Sequence, residues 1–308
     1  TMQSEGSVLP GIPMMRHTFT LDKEVASARL YSSALGVYNI YVNGTRVYAI
    51  DDDGKQIQDE LKPGSTELHK TVFYCTHDVT RLVQQGKNAI GAEVSSGWFN
   101  GAVTHGMYGS GANAFRGMLV ARYTDGSTQT ICTDTSWRSN ANGPIRKGDI
   151  FNGETYDARL ESDWTKPDFD DSQWYATALS NDFKGKLVAF EGPSVQAVPA
   201  YARHPQTIYV YEGTTATGTA YGMLNEVAKY SGEPAITLRA GQTAIYDLGQ
   251  NAAGWVSFRV KGNAGTRLRF RFSEMRNETG DTNRGDDGPG GSLYLINLRS
   301  AQASLFYT

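Results

Sequence analysis

A chain of 308 residues is long enough for two domains, and 39% hydrophobic with 20% charged residues describes an ordinary globular protein. The formal net charge is -3 and no basic block appears, which argues against a phosphate-backbone partner, so no nucleic acid is expected. No run approaches the roughly 18 apolar residues of a membrane span, so no membrane partner is expected either.

The amino terminus, TMQSEGSVLPGIPMM, lacks a basic region followed by an apolar core. It does not read as a signal peptide, and residues 1–17 read as a linker. A strand pattern begins at Ala28 and continues through Tyr38 to Val47, across the Asn43-Gly44 pair. A two-residue turn of that type twists as paired strands twist, so a hairpin is expected there. Val72–Cys75 reads as a strand, Asp78–Asn88 as a short helical turn closed by Gly86, and Ala89–Val94 as a half-buried strand. Met118–Tyr123 and Ser127–Cys132 flank Thr124-Asp125-Gly126, a second hairpin. Cys75 and Cys132 fit no metal spacing and stand in strand-like runs, so both are expected as buried free thiols.

The stretch Asp149–Arg159 crowds acidic and amide groups, two aromatics and a turn glycine together, and reads as a loop. Such a loop offers oxygens to a hard cation or to sugar hydroxyls, and rings for a sugar to lean on. The plainer alternative is that Asp157 and Arg159 pin the loop to a neighbouring strand. Asp163–Trp174 is irregular and aromatic-rich. Pro193, Pro199 and Pro205 mark a domain junction. Strand signals then resume at Gln206–Glu212, Ala235–Leu238, Ala244–Leu248, Gly254–Lys261 and Thr266–Glu274, and later at Leu293–Leu298 and Ala303–Tyr307. Asn277–Gly291 reads as a long loop. Short strands with turn signals indicate an all-β protein of two β-sandwiches.

Several blocks resemble the accessory β-domains of bacterial α-L-rhamnosidases of glycoside hydrolase family 78. They are ARLYSSALGVYNIYVNGTRV (28–47), YCTHDVTRLV (74–83) with KNAIGAEVSSGWFNG (87–101), IFNGETYDARLE (150–161), FDDSQW (169–174) and DLGQNAAGWV (247–256), followed by Gly265–Gly280. They run in family order across nearly the whole chain. The resemblance implies two sandwiches of the jelly-roll, galactose-binding-like type. The first is an accessory carbohydrate-binding-like domain at 18–195. The second, at 196–308 and incomplete, resembles the domain that packs on a catalytic (α/α)6 barrel. In some members the first domain is a carbohydrate-binding module of family 67, which holds terminal L-rhamnose with the help of calcium. The barrel and its catalytic acids are absent here, so no catalytic residue is assigned and the chain alone is expected to be inactive. The family also implies a periplasmic or secreted location. Two positions depart from its pattern: Ser96 stands where an acidic residue often precedes the Gly-Trp pair, and Phe151 where Tyr or Asp is common.

Sugar recognition needs planar hydrogen-bonding side chains and an aromatic face. Asn152, Glu154, Asp157, Trp174 and Trp98 supply those types and are the candidate carbohydrate-binding residues. Asn152 and Glu154 are also the candidate calcium ligands, and no other cofactor is expected. Core packing is the plain alternative for Trp98, Trp137 and Trp255. The acidic runs at Asp51–Asp53, Asp170–Asp171 and Asp286–Asp287 read as solvated turns. Three readings compete: a non-catalytic sugar-binding and scaffold portion of a hydrolase, a subunit completed by a separate barrel chain, and a purely structural pair of sandwiches.

Overall fold

A computed structural model of the protein describes residues 11–51, 53–108, 111–181, 183–217, 220–223, 225–272, 275–278, 293–296 and 303–306. Its strands in chain order begin with β1 (Met14–Leu21), β2 (Val25–Leu35), β3 (Val37–Val42), β4 (Thr45–Arg46), β5 (Ala49–Ile50), β6 (Gln56–Ile57), β7 (Asp59–Glu60), β8 (Thr71–Asp78) and β9 (Gly86–Ser95). After a four-residue helix, α1 (Gly97–Asn100), come β10 (Ala114–Tyr123), β11 (Thr128–Cys132), β12 (Arg138–Asn140), β13 (Ile145–Asp149), β14 (Gly153–Asp157), β15 (Tyr175–Ala176), β16 (Lys186–Ala189) and β17 (Val195–Gln196). Then follow β18 (Thr207–Glu212), β19 (Thr214–Thr217), β20 (Ala220–Met223), β21 (Glu226–Ser231), β22 (Gln242–Asp247), β23 (Arg267–Phe270), β24 (Met275–Glu278), β25 (Leu293–Ile296) and β26 (Ala303–Phe306).

The chain divides into two compact units. One is built on the residues up to Ala197, with Gly262–Arg269 and the strand at Ala303–Phe306. The other is built on Val198–Lys261 and the described residues from Phe270 to β25.

The first unit is a β-sandwich. One sheet has the order β15-β12-β1-β9-β3-β4 and the other β11-β10-β2-β8-β16. Alternating apolar residues on β2, β3, β9 and β10 meet between the sheets, where Leu30, Ile40, Val42, Ile90, Val94 and Leu119 are sealed from solvent. Each such side chain contributes about 1.5–3 kcal/mol by leaving water. The hairpin between β3 and β4 turns at Asn43 (φ 49°) and Gly44 (φ 85°), as the Asn-Gly signal requires. β10 and β11 form the second expected hairpin.

The six-stranded sheet is covered on its outer face as well. Arg16 donates through Nε to the Trp164 carbonyl (2.8 Å) and through Nη2 to the Lys166 carbonyl (2.9 Å), and it pairs with Asp171. These bonds hold the irregular Asp163–Trp174 segment against the sheet, with Met14, Trp164 and Trp174 packed together. The absence of a side chain at Gly91 makes room for the Trp164 ring, since a Cβ there would stand 2.6 Å from it. Residues 14–17, read as the end of a linker, are thus strand: Met14 and Arg16 are buried pieces of β1, whose role only tertiary packing reveals. Asp171, read as part of a solvated turn, is Arg16's ion-pair partner.

Four further expectations change. The acidic stretch is not a plain loop, because β13 and β14 pair as a hairpin on either side of it. Both cysteines are free, but Cys132 is exposed on the outer face of β11, and Cys75 is half-buried. In the second unit, Ala235–Leu238 and Gly254–Lys261 are not strands. Alternation alone does not make a ladder without a neighbouring strand to bond. Trp255, expected in a core, is 53% exposed. That unit has a sheet β21-β18-β22 and a sheet β19-β20-β25-β24. The expected loop at Asn277–Gly291 lies outside the described residues except for Asn277 and Glu278 in β24, and Asp52 and Asp286–Asp287 lie outside them too.

Candidate functional site

The β13–β14 hairpin is set by its own turn chemistry. Asp149 Oδ1 accepts the backbone N–H groups of Phe151 (2.8 Å) and Asn152 (2.7 Å), and Gly153 adopts φ 76°. Asp149 Oδ2 accepts the Ala102 N–H at 2.8 Å, which ties the hairpin to the segment following α1. The carboxylate of Asp149 is thereby spent on backbone. Asn152 is left at the exposed tip.

Successive strand residues point to opposite faces, so Glu154 and Tyr156 share one face of β14 while Thr155 and Asp157 share the other. The face of Glu154 looks toward Glu93 on β9. Glu93 is 7% exposed, and its Oε1 accepts from Asn39 Nδ2 (2.9 Å) and Tyr41 OH (2.8 Å) on β3. Tyr156 donates its hydroxyl to Glu161. The result is a patch of two carboxylates bordered by two tyrosines and an amide. Desolvation by the surrounding protein pushes the pKa of Glu154 up although the residue as a whole is exposed, and the Glu93 carboxylate adds to the shift. Sequence reasoning missed Glu93, Asn39 and Tyr41. The available signal was a lone charge in the otherwise apolar strand AIGAEV.

Asp157 is not brought together with Glu154. It caps the turn at Ala158–Leu160, and its carboxylate takes a fork from Arg159 through Nε (2.8 Å) and Nη2 (2.7 Å). That fork, ahead of a smaller desolvation effect, holds its pKa below the usual value. Its part is to fix the hairpin's exit. Trp174 is 8% exposed and lies two rings behind Glu93: Tyr41 packs edge-on against Trp164 (5.7 Å), which tilts against Trp174 (6.0 Å). It supports the patch from within and offers no free face to a sugar. Trp98 is half-buried, and its indole N–H donates to the Leu61 carbonyl at 3.3 Å, which ties α1 to the segment just after β7. Trp137 is a core residue, 2% exposed.

Beside the hairpin lies a shallow open cleft of about 250 Å³, lined by Ile12, Pro13, Ser96, Asn113, Lys147 and Asp149 among others. Ser96, the departure from the family pattern, is on its wall. Asn152 and Glu154 contribute one amide and one carboxylate toward a cation, whereas calcium takes 6–8 oxygens. No group of three or more His, Cys, Asp or Glu side chains that could hold a metal ion occurs among the described residues. These residues alone do not make a calcium cradle.

Known proteins bear on this arrangement. The α-L-rhamnosidase N-terminal domain family matches residues 23–199, and the bacterial α-L-rhamnosidase concanavalin-like domain family matches residues 237–308. An α-L-rhamnosidase of Streptomyces avermitilis is 36% identical over 302 residues, 96% of this chain and 24% of the relative. One from Formosa agariphila is 32% identical over 99% of this chain and 28% of its own length. The crystal structure of the Streptomyces avermitilis α-L-rhamnosidase complexed with L-rhamnose superposes with a TM-score of 0.69 at 32% identity, over 97% of this chain and 25% of that one. The chain thus spans about a quarter of the length of these relatives. With a match through both sandwich regions in family order, it belongs to the α-L-rhamnosidase family.

Proposed function

We propose that this chain is the non-catalytic, sugar-binding and scaffold portion of an α-L-rhamnosidase that acts on rhamnose-containing glycans, its catalytic barrel lying elsewhere in the same protein. The observation that carries the reading is the end-to-end match to a quarter of a known α-L-rhamnosidase. On this chain the sugar site is the exposed rim of the β13–β14 hairpin, where Asn152 and Glu154 take the hydroxyls of a terminal L-rhamnose. Asp157 and Trp174 act behind them, as a clamp and as a support. Were calcium bound here, Asn152 and Glu154 would be the side chains to hold it, with one amide and one carboxylate.

A monosaccharide has few atoms, so binding is weak. Removing the Glu154 carboxylate weakens it by about 1.5–3 kcal/mol, the worth of charge-assisted hydrogen bonds. Calorimetry with L-rhamnose, with and without calcium, tests the site. No heat at millimolar sugar in either condition would leave the purely structural reading, which the capping role of Asp157 and the burial of Trp174 already favour for those two residues. The chain alone should not hydrolyse aryl α-L-rhamnosides. Turnover that vanishes on mutation of one of its own acids would sink the non-catalytic reading.

A further inference from the structure

The outer face of the five-stranded sheet carries a feature that the hairpin site does not use. Ladder register fixes which side chains share it. Met118 on β10 stands opposite Tyr31 on β2, Val120 opposite Arg29, Arg122 opposite Ser27 and Arg116 opposite Ser33. Across β2, Tyr31 stands opposite Thr76 and Arg29 opposite Asp78 on β8. Tyr74, two residues before Thr76, falls on the same face, and its ring meets that of Tyr31 edge-on at 6.3 Å.

Arg29, Arg116 and Arg122 are all exposed, and Met118 is 39% exposed. None of the three guanidinium groups makes a side-chain hydrogen bond or a salt bridge among the described residues, while the charge of Arg29 acts on Asp78, which faces it across the ladder. The facing carboxylate, Asp78, is engaged by the backbone N–H of Thr80 at 2.9 Å. Arg116 and Arg122 are six residues apart on one strand, about 20 Å. An extended surface of exposed guanidinium groups, of which Arg116 and Arg122 face serines rather than carboxylates on β2, thus lies around two tyrosine rings on a chain whose net charge is -3.

We propose that this sheet face is a second glycan-binding surface, which takes an extended acidic polysaccharide through its uronate carboxylates. Planar guanidinium forks match carboxylates two bonds at a time, and tyrosine rings accept the apolar faces of pyranose rings. Charge complementarity selects a polyanion. Membership of a glycoside hydrolase family selects a polysaccharide among polyanions, and in that respect alone the inference rests on the family assignment. The surface is separate from the β13–β14 hairpin, and it would hold the backbone of a polymer rather than a terminal sugar.

The test is calorimetry of the chain, with chelator present and at low salt, against polygalacturonate and against the same polymer with its carboxyls reduced to alcohols. Polygalacturonate should bind, and the reduced polymer at least about tenfold more weakly. Affinity for the acidic polymer should fall as salt is raised, a result that needs no variant. The double variant R116A/R122A, changed at two exposed positions, should keep its melting temperature and lose about tenfold in affinity; R116K/R122K, which keeps charge without the fork, should fall between. Glu154→Gln should leave this binding unchanged, so failure here and failure at the hairpin are told apart. Equal binding of the two polymers, salt-insensitive binding, or an undiminished R116A/R122A variant would overturn the proposal. So would heparin or single-stranded DNA binding as tightly as polygalacturonate, since the face would then be an unselective polyanion surface.

Discussion

Glu154 combines an exposed position with an unfavourable electrostatic setting, and the two can be separated. Its raised pKa comes from desolvation first and Glu93 second, so ionising it costs the folded state. The stability associated with its neutral form is complete below the unfolded-state pKa of about 4.3 and is lost as pH rises through the higher folded value. Glu154→Gln should therefore match the wild type in stability at acidic pH and exceed it at neutral pH, while binding L-rhamnose less well. Urea midpoints at several pH values, beside calorimetry, would show it; a variant less stable at neutral pH would mean that the carboxylate is structural. Asp59 shows the opposite sign. It is 3% exposed, and burial alone would raise its pKa, but hydrogen bonds from His77 and the Ala49 N–H, together with Lys62, hold it at about 2. Its contribution is full above about pH 3.9 and is lost as pH falls through about 2, an amount on the order of 2 kcal/mol. Asp59→Asn should destabilise the protein at neutral pH and remove that part of the acid-induced loss, as acid titration of the folded fraction would reveal. An unchanged acid profile would mean that another carboxylate sets it.

Among the elements, the Asp163–Trp174 segment depends most on a single residue. It has no regular secondary structure, so its attachment rests on ring packing and on Arg16, which is 1% exposed and bonded to two of the segment's carbonyls and to Asp171. Arg16→Ala leaves those acceptors without donors and should cost about 3–5 kcal/mol. Faster amide exchange confined first to the segment would check the attachment, whereas uniform loosening would place the role of Arg16 elsewhere. This dependence also shows what the sequence could convey. The β3–β4 and β10–β11 hairpins were legible because Asn43-Gly44 and Asp125-Gly126 state their turns locally. The hairpin of the candidate site was not, since Asp149 and Gly153 close a turn inside a polar run with no alternation to mark strands. Arg16 lay in a segment without periodicity, and its partners are about 150 residues away. Trp174 was placed in the right neighbourhood but on the wrong side of the surface, because a sequence does not tell a ring that lines a site from one that supports it. Gly254–Lys261 alternates as a strand does and yet forms none.

At the scale of the molecule, the first unit has a division of labour that a truncation can test. Every strand of its two sandwich sheets lies between Met14 and Ala189, and so does the core cluster around Leu30 and Ile40. The later part of the chain adds β26, which runs parallel beside β14 and matches Glu154 with Ala303 and Asp157 with Phe306. The hairpin bearing Glu154 is thus braced on one edge by β13 and on the other by a strand from the far end of the chain. An edge strand that loses its neighbour exposes unpaired N–H and C=O groups, but it does not empty the core. Residues 11–197 alone should therefore fold, with a cooperative thermal transition below that of the full chain. Amide exchange should accelerate at Glu154–Asp157 and stay protected at Leu30, Ile40 and Ile90. If the hairpin's rim holds L-rhamnose, the truncated chain should bind it more weakly, because ordering the hairpin would then be charged against binding. Failure of 11–197 to show a cooperative transition would mean that the sandwich needs the later strands to close its core, and undisturbed exchange at Glu154–Asp157 would mean that β26 does not brace the hairpin in solution.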